Sequence, residues 1–141
     1  MKKMMLLVLS MAFIFGPLFG CQSNENNKLT ANEIVKVSLS TSNGFGHVNS
    51  DFLVEFNDVE TIELFAKIFS NAVKEPGIVN MSEPEFDVEV LYTNGDKQGY
   101  HLWVGEPGQL SSLINITDTH TIYTISEEMS QKLMEFIEGL F

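Results

Sequence analysis

The chain has 141 residues, of which 44% are hydrophobic, and its formal net charge is −11 at pH 7. All eight basic residues are lysines and they form no cluster beyond the N-terminus, which argues against a nucleic-acid partner because phosphate binding needs a basic face. The single cysteine excludes an internal disulfide, so a folded domain must be stabilised by its apolar core.

The first 20 residues have the pattern of a bacterial export signal. Met1-Lys2-Lys3 supplies a positive start, and an apolar run follows before a Gly-Pro pair interrupts any helix. A transmembrane helix is the alternative, but it needs roughly 20 consecutive apolar residues and this run is shorter. Leu18-Phe19-Gly20-Cys21 resembles the lipobox of bacterial lipoproteins, although Phe19 is larger than the residue usual there. The pattern predicts a lipoprotein signal peptide at residues 1–20.

Cys21 is the predicted lipidation site. A thiolate is a good nucleophile, and it would carry a diacylglyceryl group as a thioether. Two acyl chains, at about 0.8 kcal/mol per buried methylene, hold a protein stably in a bilayer. We expect residues 21–32 to form a lipidated flexible tether and residues 33–141 a single domain at the extracytoplasmic face of the cell membrane.

The predicted mature protein is strongly acidic. From Cys21 onward, the chain contains six lysines and all 19 acidic residues, which gives a formal charge of −13. Anionic lipid repels such a domain, so we expect the lipid anchor alone to hold the protein at its partner, the membrane.

Strands are predicted where apolar residues alternate or β-branched residues cluster. These segments are residues 34–39, 52–56, 86–92, 98–104, 110–116 and 121–125. A loop rich in Gly, Ser and Asn, residues 41–50, separates the first two.

Two helices are predicted from caps and apolar stripes. Asn57 is the expected N-cap of the first, with Glu60 completing a capping box, and Ser126 is the expected N-cap of the second. The apolar stripes are Val59, Ile62, Phe65, Ala66, Phe69 and Val73 in the first helix, and Met129, Leu133, Phe136, Ile137 and Leu140 in the second.

The order of elements predicts the fold class. It is β-β-α-β-β-β-β-α, in which hairpins outnumber crossovers. We therefore expect an α+β domain with a mostly antiparallel sheet of about six strands and two helices packed on one face.

The register of the central hairpin decides which side chains share a face. A two-residue Asn94-Gly95 turn would set Val88 opposite His101, whereas a three-residue loop with Gly95 left-handed sets Val88 opposite Tyr100. The second register is favoured because it buries no histidine or carboxylate. It leaves a candidate binding face away from the helices, formed by Asp87, Glu89, His101 and Trp103.

Catalytic and cofactor motifs are not evident. The histidines His47, His101 and His120 lack the spacing that places two imidazoles on one metal, although a composite site with Asp118 or Asp87 stays open. No nucleophile elbow or Ser-x-x-Lys motif occurs. The sequence thus predicts no catalytic residue, no metal site and no cofactor.

Three segments resemble a known family. They are Pro76-Gly77-Ile78-Val79-Asn80-Met81, Tyr100-His101-Leu102-Trp103 and Asp118-Thr119-His120-Thr121-Ile122-Tyr123. In these the chain resembles the small Bacillus-type lipoproteins of the YhfM kind, over most of residues 30–138. The resemblance implies a surface-anchored domain in a Gram-positive bacterium and supplies no catalytic residue.

Three functions are compatible with the sequence. The first is a non-enzymatic surface lipoprotein that binds a protein or cell-wall component of the envelope, through the face bearing Trp103 and His101. The second is a domain that binds a metal or small solute with His101, His120 and Asp118. The third is an envelope hydrolase with an unfamiliar site.

Overall fold

The computed structural model describes residues 33–77 and 80–141. The predicted signal peptide, Cys21 and the tether of residues 21–32 lie outside the described residues. The described elements are β1 (Ile34–Thr41), β2 (Val54–Phe56), α1 (Val59–Asn71), β3 (Val73–Lys74), β4 (Phe86–Tyr92), β5 (Lys97–Trp103), β6 (Ser112–Asn115), β7 (Asp118–Thr124) and α2 (Glu127–Glu138). Within this part of the chain, no helix is long and apolar enough to cross a membrane.

The strands form one antiparallel sheet in the order β2-β1-β4-β5-β6-β7-β3. Both helices pack on the same face, as predicted, and the α+β class and element order are confirmed. The main core lies between helices and sheet, where Phe69 and Tyr100 stack with ring centroids 4.9 Å apart. The sheet has seven strands in the described residues rather than about six, because β3 adds a two-residue edge strand.

The start of α1 differs from the prediction by one residue. Asp58, not Asn57, is the N-cap, and its side chain accepts a hydrogen bond from the Thr61 backbone N–H over 2.9 Å. This hydrogen bond lowers the pKa of the Asp58 carboxyl, because it favours the ionised form. The predicted Ser126 cap of α2 is confirmed, since its hydroxyl accepts from the Met129 N–H.

The end of α1 also differs from the prediction. The helix stops at Asn71, and Val73 pairs with Thr124 of β7 as part of β3. Val59 and Val73 are 73% and 60% exposed, so the outer members of the predicted stripe do not reach the core. The inner members Phe65 and Phe69 are buried as expected.

The last hairpin is tighter than predicted. Residues 118–120, expected in a turn, are the first residues of β7, and the pairing shifts between Ile114 and Asn115. The Asn115 side chain accepts from both the N–H and the hydroxyl of Thr117, which closes the short turn locally.

The central hairpin adopts the register that the sequence favours. Val88 lies opposite Tyr100, and Tyr92 N–H donates to the Asp96 carbonyl across a loop in which Gly95 has φ 90°. A positive φ suits glycine because it has no Cβ. This register puts Asp87 directly opposite His101, on the face away from both helices.

Candidate functional site

The face away from the helices carries the predicted site residues, but it is covered. Asp87 and His101 are completely buried and Trp103 is 7% exposed. The expectation that this register buries no histidine or carboxylate is therefore wrong. Residues 42–50, which we call the covering loop, fold back from the end of β1 over these side chains. The binding face formed by Asp87, Glu89, His101 and Trp103 stays a prediction. A partner would reach its buried members only after the loop has moved away.

Asp87 and His101 form a hydrogen-bonded pair at the centre of this face. Oδ1 of Asp87 lies 2.7 Å from Nδ1 of His101. The backbone N–H of Gly46 donates to Nε2 of His101 over 3.2 Å, so that nitrogen carries a lone pair. A neutral imidazole has its proton on the other nitrogen, and His101 is therefore the Nδ1–H tautomer donating to Asp87.

The pair also fastens the covering loop at a second point. Oδ2 of Asp87 accepts from the Asn49 N–H over 2.8 Å, and the Ser40 hydroxyl donates to the Asn49 carbonyl over 2.7 Å. Each polar atom of the Asp87–His101 pair has thus a protein partner, which a buried polar group needs to avoid a desolvation cost. In this closed form the pair binds the loop and has no nitrogen left for a substrate.

A small second core lies beside the pair. Trp103 packs with Ile114 and Ile122, and its indole N–H is 3.1 Å from the carbonyls of both Ser82 and Glu83. Phe45 of the covering loop meets Trp103 at 6.0 Å between centroids and His101 edge-on at 5.5 Å. Phe45 is nevertheless 47% exposed, so it lies on top of this core rather than inside it.

The absence of a side chain at Gly99 lets the covering loop approach the sheet. A Cβ built there would lie 2.5 Å from Cγ2 of Val48 and 2.7 Å from Cδ1 of Ile116. Neither separation is tolerable for carbon atoms, so a larger residue at this position would require the Val48 and Ile116 side chains to shift.

Glu89, the fourth predicted residue, lies outside the covered centre. Its carboxylate makes an ion pair of 2.8 Å with Lys97, and its side chain is 20% exposed. This hydrogen bond raises the pKa of the Lys97 amine, because it favours the charged form. The structure does not bring Glu89 into the Asp87–His101 pair.

The histidines do not converge on a metal. His101 is buried, whereas His47 in the covering loop and His120 in β7 are exposed. The carboxylate of Asp118 accepts from the backbone N–H of His120 over 3.4 Å. The described residues contain no group of three His, Cys, Asp or Glu side chains placed to hold a metal ion. The composite site proposed from His101, His120 and Asp118 is not assembled here.

A second candidate site was not predicted from the sequence. A cleft of about 590 Å³ opens between α1 and α2. Leu64, Met129 and Phe136 give it apolar surface, and its charged residues are Glu60, Glu63, Lys67, Lys132 and Glu135. The apolar stripes indicated which helix faces meet the sheet, but no sequence signal gives the distance between two helices that share a sheet.

Comparison with known proteins gives a family and a fold. The model of the YhfM protein family matches residues 30–140, which is most of the chain. The chain is also similar to a crystal structure of a thioesterase-like protein from Clostridium sporogenes, with a TM-score of 0.53 and 15% sequence identity over 77% of this chain and 95% of that one. At this identity the likeness shows a shared fold only. No curated protein matches the chain.

Proposed function

Since the chain belongs to the YhfM protein family, we propose that it is a lipid-anchored lipoprotein of the extracytoplasmic membrane face whose domain binds an envelope partner without catalysing a reaction. The anchor is Cys21, for the reasons given by the signal-peptide pattern. The binding site is the cleft between α1 and α2. The partner is a protein segment that presents apolar side chains flanked by basic groups.

The cleft is the observation that carries this proposal. Its volume of about 590 Å³ lies within the range of roughly 300–1,000 Å³ typical of ligand sites. Leu64 and Phe136 are half-buried at its surface, so they offer apolar area to a partner while remaining attached to the main core. A partner segment could bury that area, which is the main driving force in protein association.

Charge decides the kind of partner. Glu60, Glu63 and Glu135 are exposed at the cleft together with one lysine, Lys67, whereas the second lysine, Lys132, is already paired with Glu128 at 2.6 Å. Acidic groups therefore outnumber basic ones there. That pairing lowers the pKa of the Glu128 carboxyl, because the amine favours its ionised form. The whole domain is also strongly anionic, which attracts basic segments and speeds their encounter.

The proposal is tested by photo-crosslinking in the membranes of the producing bacterium. A photo-reactive residue replaces Leu64 in the full chain, and a control chain carries it at the exposed position Thr119. We expect an adduct from position 64 and none from position 119. Glu60→Lys, Glu63→Lys and Glu135→Lys together should abolish the adduct.

A matched control separates local from total charge. Asp51→Lys, Glu83→Lys and Glu106→Lys change the net charge equally at exposed positions outside the cleft, and they should leave the adduct intact. If both triple variants lose the adduct equally, the cleft is not the binding site. If position 64 gives no adduct in any chain, the proposed function is wrong.

Acyl hydrolysis is the second candidate. The Asp87–His101 pair is an arrangement that can serve as a general base, and the Clostridium sporogenes protein of the same fold is described as thioesterase-like. In the closed form Nε2 of His101 is occupied by the Gly46 N–H, which disfavours this candidate. Turnover of a panel of acyl thioesters by the wild-type chain, lost in Asp87→Asn, would establish it.

A further inference from the structure

The covering loop is held by a hydrogen bond that one protonation state of His101 can make and the other cannot. Gly46 N–H donates to Nε2 of His101, which must therefore carry a lone pair. The imidazolium form has a proton on both ring nitrogens and accepts at neither. We infer that His101 and the covering loop form an acid-sensitive latch, in which protonation of His101 releases the Gly46 end of the loop from the sheet.

Protonation replaces an attraction with a repulsion at one atom. The Nε2–H of the imidazolium would face the Gly46 N–H across 3.2 Å, so that two donors meet with no acceptor between them. Nδ1 carries a proton in both forms, so its bond to Asp87 persists. The loop is therefore the part that moves, since the hydrogen bond between His101 and Asp87 within the sheet is the same in both forms.

The covering loop is also held less firmly than β5, the strand that carries His101. His101 lies in β5, which is hydrogen-bonded on both sides by β4 and β6. Residues 43–47 belong to no strand or helix, and Phe45, Gly46 and His47 are exposed. Segments with few buried contacts open at a low free-energy cost, so breaking the Gly46 bond need not disturb the sheet.

The groups that face His101 determine how easily it is protonated. Asp87 from β4 is the charged group in contact with it, and Ile114, its neighbour on β6, is uncharged. From the loop it meets Phe45 and Gly46, and His47 is the adjacent titratable residue. His47 is exposed and also has an imidazole, so any experiment on pH must distinguish the signals of the two histidines.

Release of the loop would uncover a specific surface. Phe45 would withdraw from Trp103 and from His101, exposing an aromatic and a charged side chain beside Asp87. This is the face on which the sequence predicts binding. The latch makes that face available when His101 is protonated and covers it when His101 is neutral, independently of the cleft between the helices.

Nuclear magnetic resonance of the full, isotope-labelled chain in lipid bicelles tests the latch. The side-chain nitrogen shifts of His101 report its tautomer, and the exchange rate of the Gly46 amide reports the loop. We expect the Nδ1–H tautomer of His101 while the loop is bound, and a protonated His101 where acidification has released the loop. Gly46 exchange, corrected for its intrinsic pH dependence, should rise about tenfold over the same transition.

Variants identify the responsible residue. His101→Gln keeps a side-chain acceptor for Gly46 but has no proton to gain near neutral pH, so the transition should vanish. His47→Gln and His120→Gln should retain it. A transition that persists in His101→Gln or disappears in His47→Gln would overturn the latch.

The wild-type chain decides the matter even if His101→Gln does not fold. The midpoint of the His101 nitrogen shifts and the midpoint of Gly46 exchange must coincide. Gly46 exchange that stays constant while His101 becomes protonated would overturn the latch, as would an imidazolium His101 with the Gly46 bond intact.

Discussion

Oδ1 of Asp87 accepts a hydrogen bond from Nδ1–H of His101 over 2.7 Å, and neither side chain is exposed to solvent. Since Asp87 also accepts from Asn49, its two oxygens join two strands and a loop. We predict that Asp87→Ala lowers the free energy of unfolding by about 1–3 kcal/mol for each donor that loses its acceptor, the Nδ1–H of His101 and the N–H of Asn49. Urea denaturation measures this, and Asp51→Ala, at an exposed position of the same loop region, should change little. A loss below about 1 kcal/mol would mean that water satisfies those donors.

Trp103 is expected to be important for stability. It is 7% exposed, packs on Ile114 and Ile122, and has its indole N–H bonded to two carbonyls. Trp103→Ala should therefore cost about 3–5 kcal/mol of unfolding free energy. Trp103→Phe keeps most of the ring and should lose less. Equal, small losses in both variants would place the tryptophan outside the core.

Gly99 and Val48 should be coupled. Gly99→Ala pushes a methyl group into Val48 and Ile116, and overpacking of this kind costs about 1–3 kcal/mol. Val48→Ala removes one of the clashing groups, so the double variant should be more stable than the sum of the single losses predicts. Gly139→Ala, where φ is −72° and the nearest atoms are 3.4 Å away, is the control. Strict additivity in the double-mutant cycle would show that the loop does not pack on Gly99.

Asp58 should make helix α1 sensitive to acid. Its pKa is lowered in the folded chain, so its contribution to stability is present above its ordinary pKa and is lost as the pH falls through the lowered value. Asp58→Asn keeps a capping oxygen but has no carboxyl to titrate. Below about pH 4, the melting temperature of the wild-type chain should therefore fall more steeply than that of Asp58→Asn. Parallel melting curves against pH would show that the carboxylate adds nothing beyond the cap.

Much of the fold is predictable because the apolar periodicity of its strands and helices is clear. The alternation in β4 and β5, together with Asn94-Gly95, was enough to find the hairpin. The favoured register is confirmed, although the reason for favouring it, that it buries no histidine or carboxylate, is wrong. Boundaries failed where tertiary contacts decide them: Val73 has helical spacing, but pairing with Thr124 draws it into an edge strand.

The burial of the candidate site could have been anticipated only in part. The favoured register already set Asp87 opposite His101, and a loop of flexible composition follows β1 in the sequence. What the sequence does not contain is the direction in which that loop folds. That direction depends on Gly99 making room for Val48 and on Gly46 and Asn49 offering N–H groups to the pair.

The account depends most on where this acidic domain is held, and Cys21 decides that. Mass spectrometry of the protein extracted from the membranes of the producing bacterium measures its N-terminus directly. We predict a chain that begins at Cys21 and carries a diacylglyceryl group on its sulfur, and a Cys21→Ala variant that is not processed in this way. A wild-type chain with an unmodified thiol, or with residues 1–20 still attached, would contradict the account.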